Sequence, residues 1–328
     1  MPLDPAITAW LAAQPAPSAP LTLAELRRAT DAGLIQQQGE DRDAAWQQQL
    51  ALPAADGTPL RVRIYVPYAR QGESNLPALV WAHGGGWSLG SLEAWNRPCR
   101  QLAESTGRVV LAVDYRLAPE HPYPLPLEDF YAALCGIHQQ AAVLRLDAAQ
   151  IAVGGDSAGG NLAAAACLLA RERGGPDIAH QLLLWPALDA TMSSASYQQF
   201  ATGYGLTAEM MQACWQYYAG NDAVRHAGHN TLDNTGYFPT GQNGARTSSP
   251  QPLFSPLATA DLRGLPPATI LSCEYDPLRD EAEAYAARLT EAGVRVRVER
   301  LAGQIHGAMH MTAVTEQAEK CYQRAAFF

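Results

Sequence analysis

Apolar residues fall into two patterns along this chain. Over 60–66 they alternate with polar ones, Leu60, Val62, Ile64 and Val66 against Arg61, Arg63 and Tyr65. That is the period of two expected of a half-buried, antiparallel strand. Unbroken apolar runs follow at 78–82, 109–113, 151–153, 182–185 and 268–271, as suits strands covered on both faces. Between them lie helical stretches at 93–105, 127–140, 161–173 and 280–292; Gly107, Gly174 and Gly293 close three of these, glycine being the usual left-handed stop. Val294, Val296 and Val298 then alternate with Arg295, Arg297 and Glu299 as a last strand. Strands alternating with helices long enough for crossovers predict an α/β fold: a mostly parallel central sheet flanked by helices.

Two regions break this rhythm. The first 45 residues mix Pro, Ala and Gln around one helical candidate at 21–31 and read as an appendage. From 190 to 252 there is no strand run, only weak helical patterns at 197–200 and 209–218 and a Gly/Asn/Thr-rich stretch over 220–249. An insertion of this kind between strands is commonly a lid, and with the appendage it would fold over a site. The expected organisation is therefore an N-terminal cap part at 1–45, a first core part at 46–189, an inserted cap segment at 190–252 and a second core part at 253–328.

Length and charge narrow the function. A chain of 328 residues has ample length for one large core. Its 32 acidic against 23 basic residues, net charge −9, with no Lys/Arg cluster, make nucleic acid and anionic membrane surfaces poor partners and favour a small neutral ligand. The N-terminus lacks the basic start and apolar segment of a secretory signal, and no run approaches the roughly 18 apolar residues of a membrane span. A soluble cytoplasmic protein is expected. Cys99, Cys135, Cys167, Cys214, Cys273 and Cys321 are scattered singly, which fits free thiols better than a zinc site. His226 and His229 lie three apart in a polar loop, but no carboxylate or thiol motif completes a ligand set; no metal is expected.

The candidate chemistry centres on Gly155-Asp156-Ser157-Ala158-Gly159, between an apolar strand run and an alanine-rich helix. Glycines must flank a serine there if its hydroxyl is to stand exposed at an abrupt strand-to-helix turn, and the helix start aims N–H groups at any anion formed beside it. A serine hydroxyl is a weak nucleophile and needs a base, an acid to hold that base, and donors for an oxyanion. His83-Gly84-Gly85-Gly86-Trp87 follows a strand run, and its glycines let the backbone approach a substrate closely. The N–H groups of Gly84, Gly85 and Ala158 are the expected donors. A phosphate-binding turn is the alternative, but neither glycine pattern of such turns is present. For the base, His306 follows the last strand in the loop 302–307, with His310 as a rival; His83 braces the glycine loop. For the acid, Asp276 sits in the loop after the strand run at 268, whereas Asp280 and Glu281 fall in a helix's first turn, where the dipole favours carboxylates anyway. Trp87 is expected to form a pocket wall, a packed core tryptophan being the alternative, and Asp156 to anchor its neighbours. The order Ser157, Asp276, His306 matches one triad order among the serine hydrolases.

With these residues the chain resembles the hormone-sensitive-lipase family of α/β-hydrolases, the bacterial family IV esterases. The resemblance rests on His83-Gly84-Gly85-Gly86-Trp87, the run 114–122 (Asp114-Tyr115-Arg116-Leu117-Ala118-Pro119-Glu120-His121-Pro122), Gly155 to Asn161, Ser255-Pro256-Leu257, the run Asp276 to Glu281 and His306-Gly307, in family order over roughly residues 60 to 310. It implies an α/β-hydrolase fold with a helical cap and cofactor-free hydrolysis of short to medium acyl esters by Ser157, His306 and Asp276. The expected partner is a small ester, and the expected assembly a monomer or homodimer. Two departures stand out: Ala308 where the family has an aromatic, and about twenty extra residues before Ser255, including Gly236-Tyr237-Phe238 and the two loop histidines. Amide, lactone and small-peptide hydrolysis use the same triad and stay open. So does a small-molecule receptor on this fold, although the hormone receptors that resemble the family lose the base, and His306 is present here.

Overall fold

The computed structural model describes residues 1–14, 21–39, 46–220 and 251–326. In chain order the elements are α1 (Pro5–Ala12), α2 (Leu23–Gln37), β1 (Trp46–Pro53), β2 (Pro59–Val66), β3 (Leu76–Ala82), α3 (Asn96–Thr106), β4 (Val109–Val113), α4 (Leu125–Gln139), β5 (Leu146–Asp156), α5 (Ala158–Arg173), β6 (Gln181–Leu184), α6 (Ala195–Gln199), α7 (Ala208–Ala219), β7 (Ala268–Tyr275), α8 (Arg279–Glu291), β8 (Val296–Ile305) and α9 (Glu319–Ala325). The strands form one eight-stranded sheet in the order β1-β2-β4-β3-β5-β6-β7-β8. Only β2 runs against its neighbours, β1 and β4; β3 to β8 pair in parallel.

The continuous apolar runs are explained by two cores, one on each face of the sheet. Successive side chains of a strand point to opposite faces. Thus Ala78, Val80, Leu111 and Val153 join α4, α5 and α8 on one side, while Leu79, Trp81, Val110 and Ala152 join α3 and α9 on the other. α5 is buried from Ala158 to Ala170, and its small alanines let it lie close to the sheet. Gly107 and Gly174 close α3 and α5 at φ +64° and +58°, as the sequence predicts.

The structure differs from the sequence reading in three places. β1 carries no strand signal in the sequence, because Gln47, Gln48 and Gln49 are exposed on an edge strand with almost no apolar face. α1 and α9 are too short to show a helical period. The stretch 302–305, read as loop, continues β8 to Ile305 through an irregularity opposite Cys273 and Tyr275. The insertion supplies α6 and α7; His226, His229, Gly236-Tyr237-Phe238 and the rest of the extra stretch after Gly220 lie outside the described residues. No helix among the described residues is long and apolar enough to cross a membrane. Cys99, Cys167, Cys273 and Cys321 are buried free thiols, and Cys135 and Cys214 are partly covered.

Two predictions test this account. Leu111 is wholly buried in β4, so Leu111→Ala lowers unfolding free energy by about 3 kcal/mol, read as a lower denaturant midpoint at unchanged slope. His180, just before β6, bonds Thr269 Oγ1 at 3.0 Å, and burial holds its imidazole down at about 4. Folding therefore favours the neutral ring. That contribution is full above pH 6.5, the ring's unperturbed value, and is lost as pH falls towards 4. His180→Gln flattens the decline in melting temperature across that window; an unchanged slope would refute the assignment.

Candidate active site

β5 ends at Asp156 and α5 begins at Ala158, leaving Ser157 alone at the corner with φ +55° and ψ −118°. A non-glycine residue takes such a conformation only when its surroundings impose it. Ser157 N–H donates to Leu184 O at 2.9 Å, and its carbonyl accepts from Asn161 and Ala187 N–H, each at 3.1 Å. A side chain at Gly159 would run into the Ala82 carbonyl, and one at Gly155 into Gly159. The turn therefore packs directly against the end of β3, where the glycine loop begins.

The candidate acid and base arrive from the ends of β7 and β8, beyond β6 in the sheet. Asp276 follows β7 and is fully buried; its Oδ1 accepts the Leu278 N–H at 2.9 Å. His306 follows β8, with Nδ1 2.8 Å from Asp276 Oδ2 and Nε2 2.9 Å from Ser157 Oγ. One imidazole thus bridges a hydroxyl and a carboxylate separated by 119 residues of chain. With Nδ1–H directed at the carboxylate, Nε2 is left as an acceptor for the serine proton.

The glycine loop corrects one expectation. Gly84 N–H donates to Asp156 Oδ1 at 3.1 Å, so it is committed to that carboxylate instead of facing a ligand. The N–H groups of Gly85 and Gly86 donate to no acceptor among the described residues, and that of Ala158, first in α5, has no intrahelical partner. The amides left as candidate donors are therefore those of Gly85, Gly86 and Ala158, one residue further along the loop than expected. Gly86 sits at φ +58°, and a β-carbon there would strike Cys214 Sγ of α7. Asp156 also accepts the Trp95 indole N–H at 2.8 Å. Burial raises its carboxyl to about 7, against the lowering pull of the Trp95 bond and of His306.

Trp87 requires a second correction. It has no exposed surface, stacks on Tyr218 at 4.4 Å between ring centres and tilts against Trp215 at 4.4 Å. It is a packed tryptophan that binds the glycine loop to α7, and no part of it forms an open wall. His83 is buried, its Nδ1 2.7 Å from Gly84 O, and it stacks on Tyr115, bracing the loop as read. His310, the rival base, points elsewhere: its Nδ1 lies 2.8 Å from Gln38 Nε2, and burial brings its ring down to about 3. Asp280 accepts the Ser196 N–H of α6, and Glu281 accepts the Leu188 N–H at 2.7 Å; neither bonds His306.

Sequence reasoning missed Trp185, whose ring stands edge-on to His306 at 6.4 Å, and Arg27 of α2, which donates to the Ser88 and Ala118 carbonyls behind the glycine loop. A tryptophan at a strand end was the only available signal for the first. No cluster of three or more metal-ligating side chains occurs among the described residues.

The α/β-hydrolase fold family model matches residues 79–310. The chain is 39% identical over 267 residues to carboxylesterase NlhH of Mycobacterium tuberculosis, covering 81% of this chain and 76% of the relative. It is 35% identical over 274 residues to ethyl acetate hydrolase of Pseudomonas putida, covering 83% and 78%. Among solved structures it is similar to an esterase of Pyrobaculum calidifontis, with a TM-score of 0.81, 35% identity, and 99% of this chain and 97% of that one covered. Sheet order, glycine loop, serine turn and matched relatives agree, and the chain belongs to the α/β-hydrolase fold family, on its hormone-sensitive-lipase-like branch.

Proposed function

We propose that this serine carboxylesterase cleaves short to medium acyl esters through an acyl-enzyme formed on Ser157. The observation that supports this most is the imidazole of His306 in hydrogen-bond contact with both Ser157 Oγ and Asp276 Oδ2. Ser157 attacks the ester carbonyl as His306 Nε2 takes its proton. Asp276 fixes the ring's tautomer and stabilises the imidazolium that forms. The N–H groups of Gly85, Gly86 and Ala158 receive the tetrahedral oxygen, a function worth roughly 10²–10³ in rate for each donor. His306 then protonates the leaving alcohol, and water activated by the same imidazole releases the acid. The described residues of 1–45 and 190–252, with α1, α2, α6 and α7, cap this site, and those of 46–189 and 253–328 form the core. The name of the Pseudomonas putida relative, ethyl acetate hydrolase, supports a small acyl group.

Ser157→Ala lowers p-nitrophenyl butyrate turnover by roughly 10⁵-fold or more and abolishes labelling by a fluorophosphonate, while circular dichroism stays native. Retained turnover in a clean preparation would refute the nucleophile assignment. Across p-nitrophenyl esters from acetate to palmitate, kcat/KM peaks at butyrate or hexanoate and falls steeply beyond octanoate; a maximum at palmitate would overturn the acyl-length reading.

A further inference from the structure

The residues immediately before the acid and the base, Tyr275 and Ile305, are cross-strand partners at the end of β7 and β8. The pairing there is irregular: Leu301 opposes Cys273, and the next pair joins Ile305 to Tyr275, so 302–304 stand opposite Glu274 alone. Such a bulge leaves backbone groups without ladder partners, and buried backbone groups need others. At its apex Gly303, at φ +72°, donates its N–H to Glu274 Oε2 at 2.7 Å. Its carbonyl accepts the Asp4 N–H at 3.1 Å. A β-carbon at Gly303 would come within 3.1 Å of the Pro2 carbonyl oxygen, so this close approach needs glycine.

Asp4 links three things. Its Oδ1 caps α1 through Ala6 N–H at 2.8 Å, its N–H holds the bulge, and its Oδ2 accepts the Thr315 hydroxyl at 2.6 Å, in the segment that follows His306. Ile7 of α1 is wholly buried in one cluster with Ile305 and Met311, against which Tyr275 and Trp10 pack. The Tyr275 hydroxyl donates to the Met1 carbonyl at 2.7 Å. The start of the chain therefore touches the Gly303 backbone before His306, the Thr315 side chain after it, and the residue next to Asp276.

We propose that Asp4, with α1 behind it, is a positioning residue for the base: it clasps the β8 bulge to the segment after His306 and so holds the imidazole within reach of Ser157. This rests on the ester-hydrolase reading above. Its effect falls on the chemical step, because the clasp touches the loops that carry Asp276 and His306 and none of the oxyanion donors.

The test compares Asp4→Ala, Asp4→Asn and Thr315→Val in the full chain, with p-nitrophenyl butyrate as substrate. Thr315→Val serves as the independent probe should loss of the Asp4 cap unfold the protein. For Asp4→Ala and Thr315→Val, kcat falls about tenfold with KM within twofold, and the NMR signal of the proton between His306 and Asp276 broadens. Asp4→Asn recovers most of kcat, since its amide still caps Ala6 and meets the Thr315 hydroxyl. Wild-type kcat with a sharp proton signal in either folded alanine or valine variant overturns the clasp. So does a loss of kcat that only tracks the unfolded fraction seen by circular dichroism. Full turnover by Ser157→Ala would instead overturn the underlying esterase reading.

Discussion

The site hangs on one strained residue. Ser157 sits at φ +55°, a region that costs a non-glycine residue of the order of 1–3 kcal/mol, and its carbonyl and N–H are tied to Asn161, Ala187 and Leu184. Those bonds and the absence of side chains at Gly155 and Gly159 let β5 turn into α5 within a single residue. The hydroxyl is thereby lifted off the strand end towards His306, while the first amide of α5 lies directly behind it. Were the backbone to relax into an ordinary strand conformation, the hydroxyl would leave the imidazole and the helix start would move with it. The hydroxyl and the first amide of α5, the proposed nucleophile and anion donor, are thus set by a single turn.

A buried carboxylate couples this turn to the glycine loop. Asp156, beside the nucleophile, holds the Gly84 N–H and the Trp95 indole. Burial makes its ionisation costly enough to lift the carboxyl to about 7. A group placed at such cost is expected where it fixes geometry. Here it ties the loop that follows β3 to the end of β5, and it consumes one amide that would otherwise be free. On the far side of the loop, Trp87 stacked on Tyr218 and Cys214 against Gly86 fasten it to α7. The amides of Gly85 and Gly86 are therefore held from the core and from the inserted segment alike, which gives the preorganisation that the proposed oxyanion site depends on.

Much of this was legible in the sequence because it is written in local chemistry. Continuous apolar runs marked the strands buried on both faces, glycines marked the helix ends, and Ser157, Asp276 and His306 each lay at a strand end in the expected order. What escaped the sequence reading depends on neighbours distant in the chain. β1 has exposed glutamines and is a strand only because β2 pairs with it. Gly84 and Gly85 are equivalent as letters, and only the Asp156 carboxylate, 72 residues away, separates the committed amide from the free one. Trp87 read as a wall because it follows the glycines, but Trp215 and Tyr218 of an inserted helix cover it. The stretch 302–305 read as loop because a bulge with a central glycine has no strand period.

The two halves of the site are consequently built on unequal supports. The serine half rests on central strands and on α5, whose burial runs unbroken to Ala170, so its geometry is fixed by buried neighbours on every side of the turn. The half that carries the proposed base ends β8, the edge strand, beside which no further strand lies among the described residues. An edge end with an irregular register has backbone groups to satisfy and few neighbours to do it. Glu274 from the adjacent strand and Asp4 from the start of the chain take those roles at Gly303. A displacement of about an ångström costs a positioned catalytic group roughly 10²-fold in rate, so the edge end requires external bracing that the central end does not. This asymmetry explains why the first turn of an appendage, lying outside the core pattern, packs against the last residues before the histidine.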